Sequence, residues 1–314
     1  MSREIKSDYQ KLSDQIKFIA DENGLNVLNL LTDNGLGVSQ QDNEYGAHSL
    51  LKLSYLNYYL EIFTRIANSH KIKGGFSKVL FIDAFGGSGL VKIKNTRYVV
   101  PGSSILAALN GKFDKIISFE IDPIRAGLLS KRLELFCPGK VEVIEGDVNF
   151  NINNIVNKYV NSRAIVLFFV DPEGMEPDFS RLKVLMDRSE FVDIMMNYTW
   201  GVYRLQGRIE KRFTENDIMK MQSFLPGYVP GKTADDALLG LFEEEFGKPY
   251  GDDVPIKSKG NKTEYSMILR VRETKGKTTF LNPMKAFGDI IKNYDGESCE
   301  LILRTIKGDQ RTLQ

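Results

Sequence analysis

The chain has 314 residues, 42% of them hydrophobic and 26% charged, with a formal net charge of +1. That balance excludes a disordered or collagen-like chain and allows one large α/β domain with elaborations. An anionic partner would be met by local patches, because a near-neutral chain has no global field.

The two cysteines, Cys137 and Cys299, are far apart and form no metal-ligand pattern, so the expectation is a reduced setting with no metal. No apolar run approaches the ~20 residues of a membrane span, and the opening MSREIKSDYQ lacks a signal-peptide core. A cytoplasmic protein with no membrane contact is expected.

In chain order, Ile5, Tyr9, Leu12, Ile16 and Ile19 step as one stripe of an amphipathic helix. A turn-rich stretch, TDNGLGVSQQDNEYG, separates it from a second helical pattern over about 48–67. Strands and helices then alternate, with strands predicted over 78–83, 115–121, 140–146, 164–170 and 191–197. Helices are predicted from PGSSILAAL, over 123–136, 149–160 and 177–188. Short, nearly all-apolar strands joined by helical crossovers predict a mostly parallel sheet with helices on both faces. The fold class expected is α/β and Rossmann-like.

The rhythm stops after Tyr198. Residues 199–262 read as a helical insertion, with helices from Glu215 to Phe224 and Ala234 to Phe246. A strand is predicted over 265–273, with 277–281 pairing to it, a helix over 283–293 and a last strand over 299–306. The organisation expected is one domain: a cap over 1–70, a cofactor-binding core over 78–198, the insertion, and a closing segment over 263–314.

The stretch VLFIDAFGGSGL, residues 79–90, carries the chemistry. Glycines between a strand and a helix let a nucleotide-type ligand approach the backbone. A dinucleotide fits poorly, because the G-x-G-x-x-G spacing is incomplete and Asp83 would face pyrophosphate. S-adenosylmethionine, with a sulfonium and an ammonium group, suits an acid beside a glycine turn.

Its expected contacts are Asp83, Phe85, Gly86, Gly87 and Gly89, then Glu120 and Asp122 for the ribose, then Asp147 and Val148 for the adenine. Asp171, in VDPEG, stands at the fourth strand's end and, with Pro172, would orient the acceptor group. On that view Asp171→Ala leaves cofactor affinity intact and removes turnover. Glu120 lies 37 positions after Asp83, beyond the compact spacing of about 20. The excess, LVKIKNTRYVV over 90–100, reads as a hairpin that either overhangs the cofactor mouth or decorates the surface.

Taken in order, His48 and its helix, FIDAFGGSG, PGSS, FEID, GDVN, FVDPEG and DIMMNYTW resemble the three-Cys-motif partner (TcmP) family over roughly residues 45–290. Ser88 stands where that family usually has proline, Gly86 where it has alanine, and Ser104 where the helix start has proline. The resemblance implies a methyltransferase-like Rossmann core. It also implies a genomically associated cysteine-motif protein as a partner, with no cysteine function in this chain.

For the acceptor, Tyr198 or Trp200 could stack on a base, and the alternative is that they pack the insertion onto the sheet. Arg204, Arg208, Lys211 and Arg212 form one basic group. Lys257, Lys259 and Lys262 form a second, and Arg270, Arg272, Lys275 and Lys277 a third. They either grip nucleic-acid phosphates or form solvated faces. Two readings follow. One is an S-adenosylmethionine-dependent methyltransferase acting on an amino group of a nucleic acid; the other is a methyltransferase-like partner protein without turnover.

Overall fold

The computed structural model describes residues 7–273 and 279–306. Lys275 and Lys277 of the third basic group therefore lie outside the described residues, as does Ile5. Helix α1 (Asp8–Lys17) is capped by Ser7, whose hydroxyl accepts from the Gln10 amide, and it runs through a π-turn, Phe18–Glu22, into α2 (Asn23–Asp33). Leu12, Ile16 and Ile19 of the expected stripe are buried, whereas Tyr9 is exposed. Sequence reading overlooked α2 because Asn23 and Gly24 at its start are poor helix formers.

Strand β1 (Asn43–Tyr45) precedes the long helix α3 (Ser49–Ile72). Then come β2 (Lys78–Asp83), the hairpin β3 (Leu90–Ile93) and β4 (Val99–Pro101), and helix α4 (Ser103–Asn110). The alternation continues through β5 (Lys115–Glu120), α5 (Pro123–Phe136), β6 (Val141–Glu145), α6 (Val148–Tyr159) and β7 (Ala164–Val170). Two short helices, α7 (Phe179–Leu182) and α8 (Val184–Arg188), lead to β8 (Val192–Thr199).

The five strands expected to be parallel are so, in the order β6-β5-β2-β7-β8. The chain leaves β8 through α9 (Gly201–Lys211), α10 (Glu215–Phe224), α11 (Ala234–Gly240) and a π-turn, Leu241–Glu245. Residues 199–262 are not wholly helical, however, because they also supply β9 (Tyr250–Lys257). β10 (Thr263–Val271) inserts between β8 and β9, antiparallel to both, and completes a seven-stranded sheet.

Two expectations at the C-terminal end are corrected. Residues 279–281 form a 3-10 turn before α12 (Asn282–Lys292), and 277 and 278 lie outside the described residues. Residues 299–306 form no strand. They belong to α13 (Gly296–Thr305) and its C-cap Ile306, started by Asp295, whose side chain accepts from the Ser298 amide. Cys299, Ile302, Leu303 and Ile306 are buried at helical spacing, a period that outweighs the β-like composition.

Helices cover both faces of the sheet. One face packs on α1 to α5, α12 and α13, through Leu12, Leu50, Leu56, Phe81, Phe169 and Ile291. The other packs on α6 to α11, through Ile82, Ile152, Phe168, Phe179, Tyr198 and Phe224. Among the described residues no helix is long and apolar enough to cross a membrane.

The register levels the strand ends: Asp83 pairs with Ser118 on β5 and with Phe169 on β7. The loops that follow β2, β5, β6 and β7 therefore open along one edge, where open α/β sheets bind ligands.

Candidate active site

A cavity of about 320 Å³ opens at this edge. Phe85, Gly86, Gly87, Ser88 and Gly89 after β2, Glu120 and Ile121 after β5, Gly146 to Val148 after β6, and Asp171 and Glu173 after β7 all line it. Asn43, Tyr45, Ser49, Lys52 and Leu53 close it from the N-terminal segment. Leu90 and Val91 of the hairpin also line it, so that hairpin overhangs the mouth, and β1 pairs with it to make a three-stranded flap.

The glycines have specific work. Gly89 holds φ +93, and a Cβ there would lie 2.9 Å from Leu129 and 3.0 Å from Ile105. A Cβ on Gly86 would lie 2.7 Å from the same Leu129. The bare loop thus lets α5 pack against the strand end while the backbone stays open to a ligand.

Asp83 is placed differently from the sequence expectation of a cofactor contact. Its side chain is fully buried, and one carboxylate oxygen accepts from the hydroxyls of Ser103 and Ser104, both at 2.6 Å. The other accepts from the Phe85 amide at 3.2 Å. Burial pushes its carboxyl up to about 6. Asp83 ties the glycine turn to the start of α4 and lies behind the cavity wall.

Asp122 is likewise a helix cap, accepting from the amides of Ile124 and Arg125 at 2.9 Å, and it does not line the cavity. Glu120 does line it, nearly buried, with one oxygen held by the Asp122 amide at 2.9 Å. Asp147 caps α6 through the Asn149 amide at 2.8 Å while also lining the cavity beside Val148.

Three residues that sequence reading missed shape the loop. Arg132 on α5 and Asp42 are both fully buried and pair at 2.5 Å. Arg132 also donates to the carbonyls of Leu36, Gly37 and Ser88. Asp42 also accepts from the Ser88 hydroxyl at 2.6 Å, which fixes that residue of the glycine turn. Arg125, one turn before Leu129 on α5, lines the cavity, and its buried Nε donates to no acceptor among the described residues. A buried donor without an acceptor in a cavity wall is a feature of a site built for a polar ligand.

At the other end of the cavity Lys52 donates to Asp171 at 2.5 Å, and Asn197 Nδ2 donates to the other Asp171 oxygen at 3.1 Å. Pro172 is buried behind them, its carbonyl accepting from Asn197 at 3.4 Å. Tyr45 donates to Glu173 at 3.2 Å and accepts from Asn43 at 2.8 Å. Lys52 was legible only as a lone cation inside the apolar run SLLKLSYL, where α3 is buried all round.

The acceptor residues expected on the insertion are not brought to this cavity. Tyr198 is buried and stacked on Phe224, with ring centroids 6.3 Å apart, so it packs the insertion onto the sheet. Trp200 is exposed and packs its edge against Tyr203. Arg204 and Arg208 are exposed on α9, and Arg208 pairs with Asp217 at 3.2 Å.

The architecture is a Rossmann-like α/β sheet, five parallel strands extended by an antiparallel pair, with a cavity at the edge where the parallel strands end. No family model matches the chain, and no curated protein matches it. Solved structures similar to it include an rRNA methylase from Streptococcus thermophilus, with 12% identity and a TM-score of 0.37 over 68% of this chain and 95% of that one. An O-methyltransferase from Bacillus cereus in complex with SAH shows 14% identity and a TM-score of 0.44 over 80% and 91%. Human methyltransferase-like protein 13, also in complex with SAH, shows 13% identity and a TM-score of 0.39 over 82% and 93%. The TcmP resemblance rests on its motifs alone.

Proposed function

We propose that the protein is an S-adenosylmethionine-dependent methyltransferase whose acceptor is an amino group. The observation that carries the reading is the cavity's charge: Glu120, Asp147, Asp171, Glu173 and Glu176 line it, against Lys52 and Arg125. Such a wall attracts a sulfonium and repels a pyrophosphate, which argues against a dinucleotide.

The residues present fit the cofactor. Glu120 can accept from ribose hydroxyls, the Asp147–Val148 turn can take a base edge, and the glycine loop admits the chain that joins them. The cofactor, when bound, supplies an electrophilic methyl group.

The acceptor side is the rim. Glu173 and Glu176 are exposed, and among the described residues neither is ion-paired. An amine loses no favourable field there as it gains positive charge, whereas a phosphate or carboxylate acceptor would be repelled. Glu173, oriented by the Tyr45 hydroxyl, is the group placed to take the amine's proton. This acidic rim also disfavours nucleic-acid phosphates close to the site, so a nucleic-acid acceptor would have to present an extruded base.

Thermal shift with S-adenosylmethionine, S-adenosylhomocysteine, NAD and ATP in parallel tests the reading. Stabilisation by the first two alone is expected. Stabilisation by NAD or ATP, or by none, overturns it. Binding without methyl transfer to any amine, nucleic acid included, supports the pocketed partner instead.

A further inference from the structure

The Lys52–Asp171 pair presents a positive and a negative charge side by side in the cavity wall. We propose that this pair is the binding subsite for the amino-acid end of the cofactor. Asp171 receives the α-ammonium group and Lys52 the α-carboxylate. The proposal rests on the S-adenosylmethionine reading above.

An α-amino acid carries its two opposite charges on one carbon. A subsite for it therefore needs a cation and an anion a few ångströms apart, both within reach of the ligand. Lys52 Nζ and Asp171 Oδ2 are 2.5 Å apart, and both residues line the cavity. Arg125, the other cation in the wall, has no carboxylate partner among the described residues and cannot supply both charges.

Lys52 and Asp171 also have capacity to spare. An ammonium carries three N–H donors and a carboxylate about four acceptor sites. Among the described residues Lys52 donates to Asp171 alone, and Asp171 accepts from Lys52 and Asn197. The side chains are 11% and 19% exposed, enough to be reached and little enough that a new charge-assisted bond is only weakly screened.

The pair is also held in place before any ligand arrives. Asn197 fixes Asp171 from behind, with Nδ2 shared between its carboxylate and the Pro172 carbonyl. Lys52 rises from the buried stretch of α3, and its ammonium lies 5.7 Å from the ring centroids of both Tyr45 and Tyr265. Two ring faces beside one ammonium help to hold it in position through cation–π attraction. Preorganisation of this kind strengthens binding by lowering the ordering cost.

The assignment reverses the sequence expectation for Asp171, which becomes a residue that holds the cofactor. The acceptor amine is then left to Glu173.

Calorimetry with two ligands tests it: S-adenosylhomocysteine, and 5′-methylthioadenosine, which lacks the amino-acid end. Wild-type protein should bind S-adenosylhomocysteine more tightly. Lys52→Met and Asp171→Asn should each weaken S-adenosylhomocysteine by about 10- to 100-fold and change methylthioadenosine by less than about 3-fold. Lys52→Arg should keep most of the affinity.

Equal losses for both ligands would mean that the pair only supports the cavity's shape, and unchanged S-adenosylhomocysteine affinity would return Asp171 to the acceptor; either result overturns the proposal. The wild-type comparison does not depend on any variant folding, and equal affinity for the two ligands there also overturns it. Wild-type protein that binds neither ligand would sink the cofactor reading itself, a separate outcome.

Discussion

Two acid–base pairs join the N-terminal segment to the sheet's ligand edge, and they differ in one respect. Arg132–Asp42 is closed: both side chains are fully buried and the guanidinium also holds three carbonyls. Lys52–Asp171 is open, with unused donors and acceptors facing a cavity. The residue types alone do not distinguish a brace from a binding site. Saturation does: a pair whose hydrogen-bonding capacity is consumed by protein can only hold the fold, and one with capacity left can take a ligand.

The largest effect expected from this contrast is on stability. Arg132→Met leaves Asp42 buried without its cation and should cost about 3–5 kcal/mol. Lys52→Met leaves Asp171 with Asn197 and the open side of the cavity, and should cost less, about 1–3 kcal/mol. Denaturant titration of the two variants checks this, and similar losses would break the distinction.

Binding comes next. Glu120→Ala should weaken S-adenosylhomocysteine by about 1.5–3 kcal/mol, through loss of a charge-assisted bond to ribose, with little change in melting temperature. A large fall in melting temperature would place Glu120 among the braces.

A smaller effect concerns pH. Burial pushes the carboxyls of Asp83 and Asp193 up to about 6 from an ordinary value of 3.8. From about pH 4 to about pH 6 the folded protein then holds more protons than the unfolded chain, so stability falls as pH rises through that window. Asp193 accepts from the Tyr59 hydroxyl at 2.7 Å, a bond that an asparagine oxygen can also accept. Asp193→Asn should make the fall in melting temperature shallower, and an unchanged slope would discount the burial effect.

Smallest of all, Arg208→Ala should change stability by less than about 0.5 kcal/mol, since its pair with Asp217 is exposed. It should leave cofactor affinity unaltered, because α9 does not line the cavity. A shift in either would draw the insertion into the site.

By itself the sequence determined the five parallel strands, the glycine turn and the acids at the strand ends. These follow from short-range rules: apolar runs of strand length with helical crossovers bury both faces, and glycine between strand and helix leaves the backbone bare. It could not say which strand-end acids face a ligand. Asp83, Asp122 and Asp147 have the same local signature, an acid before a turn or helix.

Yet one is buried against serines, one caps a helix away from the cavity, and one caps a helix while lining it. Nor could it find Lys52 or Asp42, which lie 119 and 90 positions from Asp171 and Arg132. The 299–306 segment shows the same limit on a smaller scale, since β-like composition and helical spacing coexist there and packing chose the helix. Only tertiary structure decides such matters, because burial and the pairing of distant charges depend on which elements the chain brings together, and local periodicity carries no record of that.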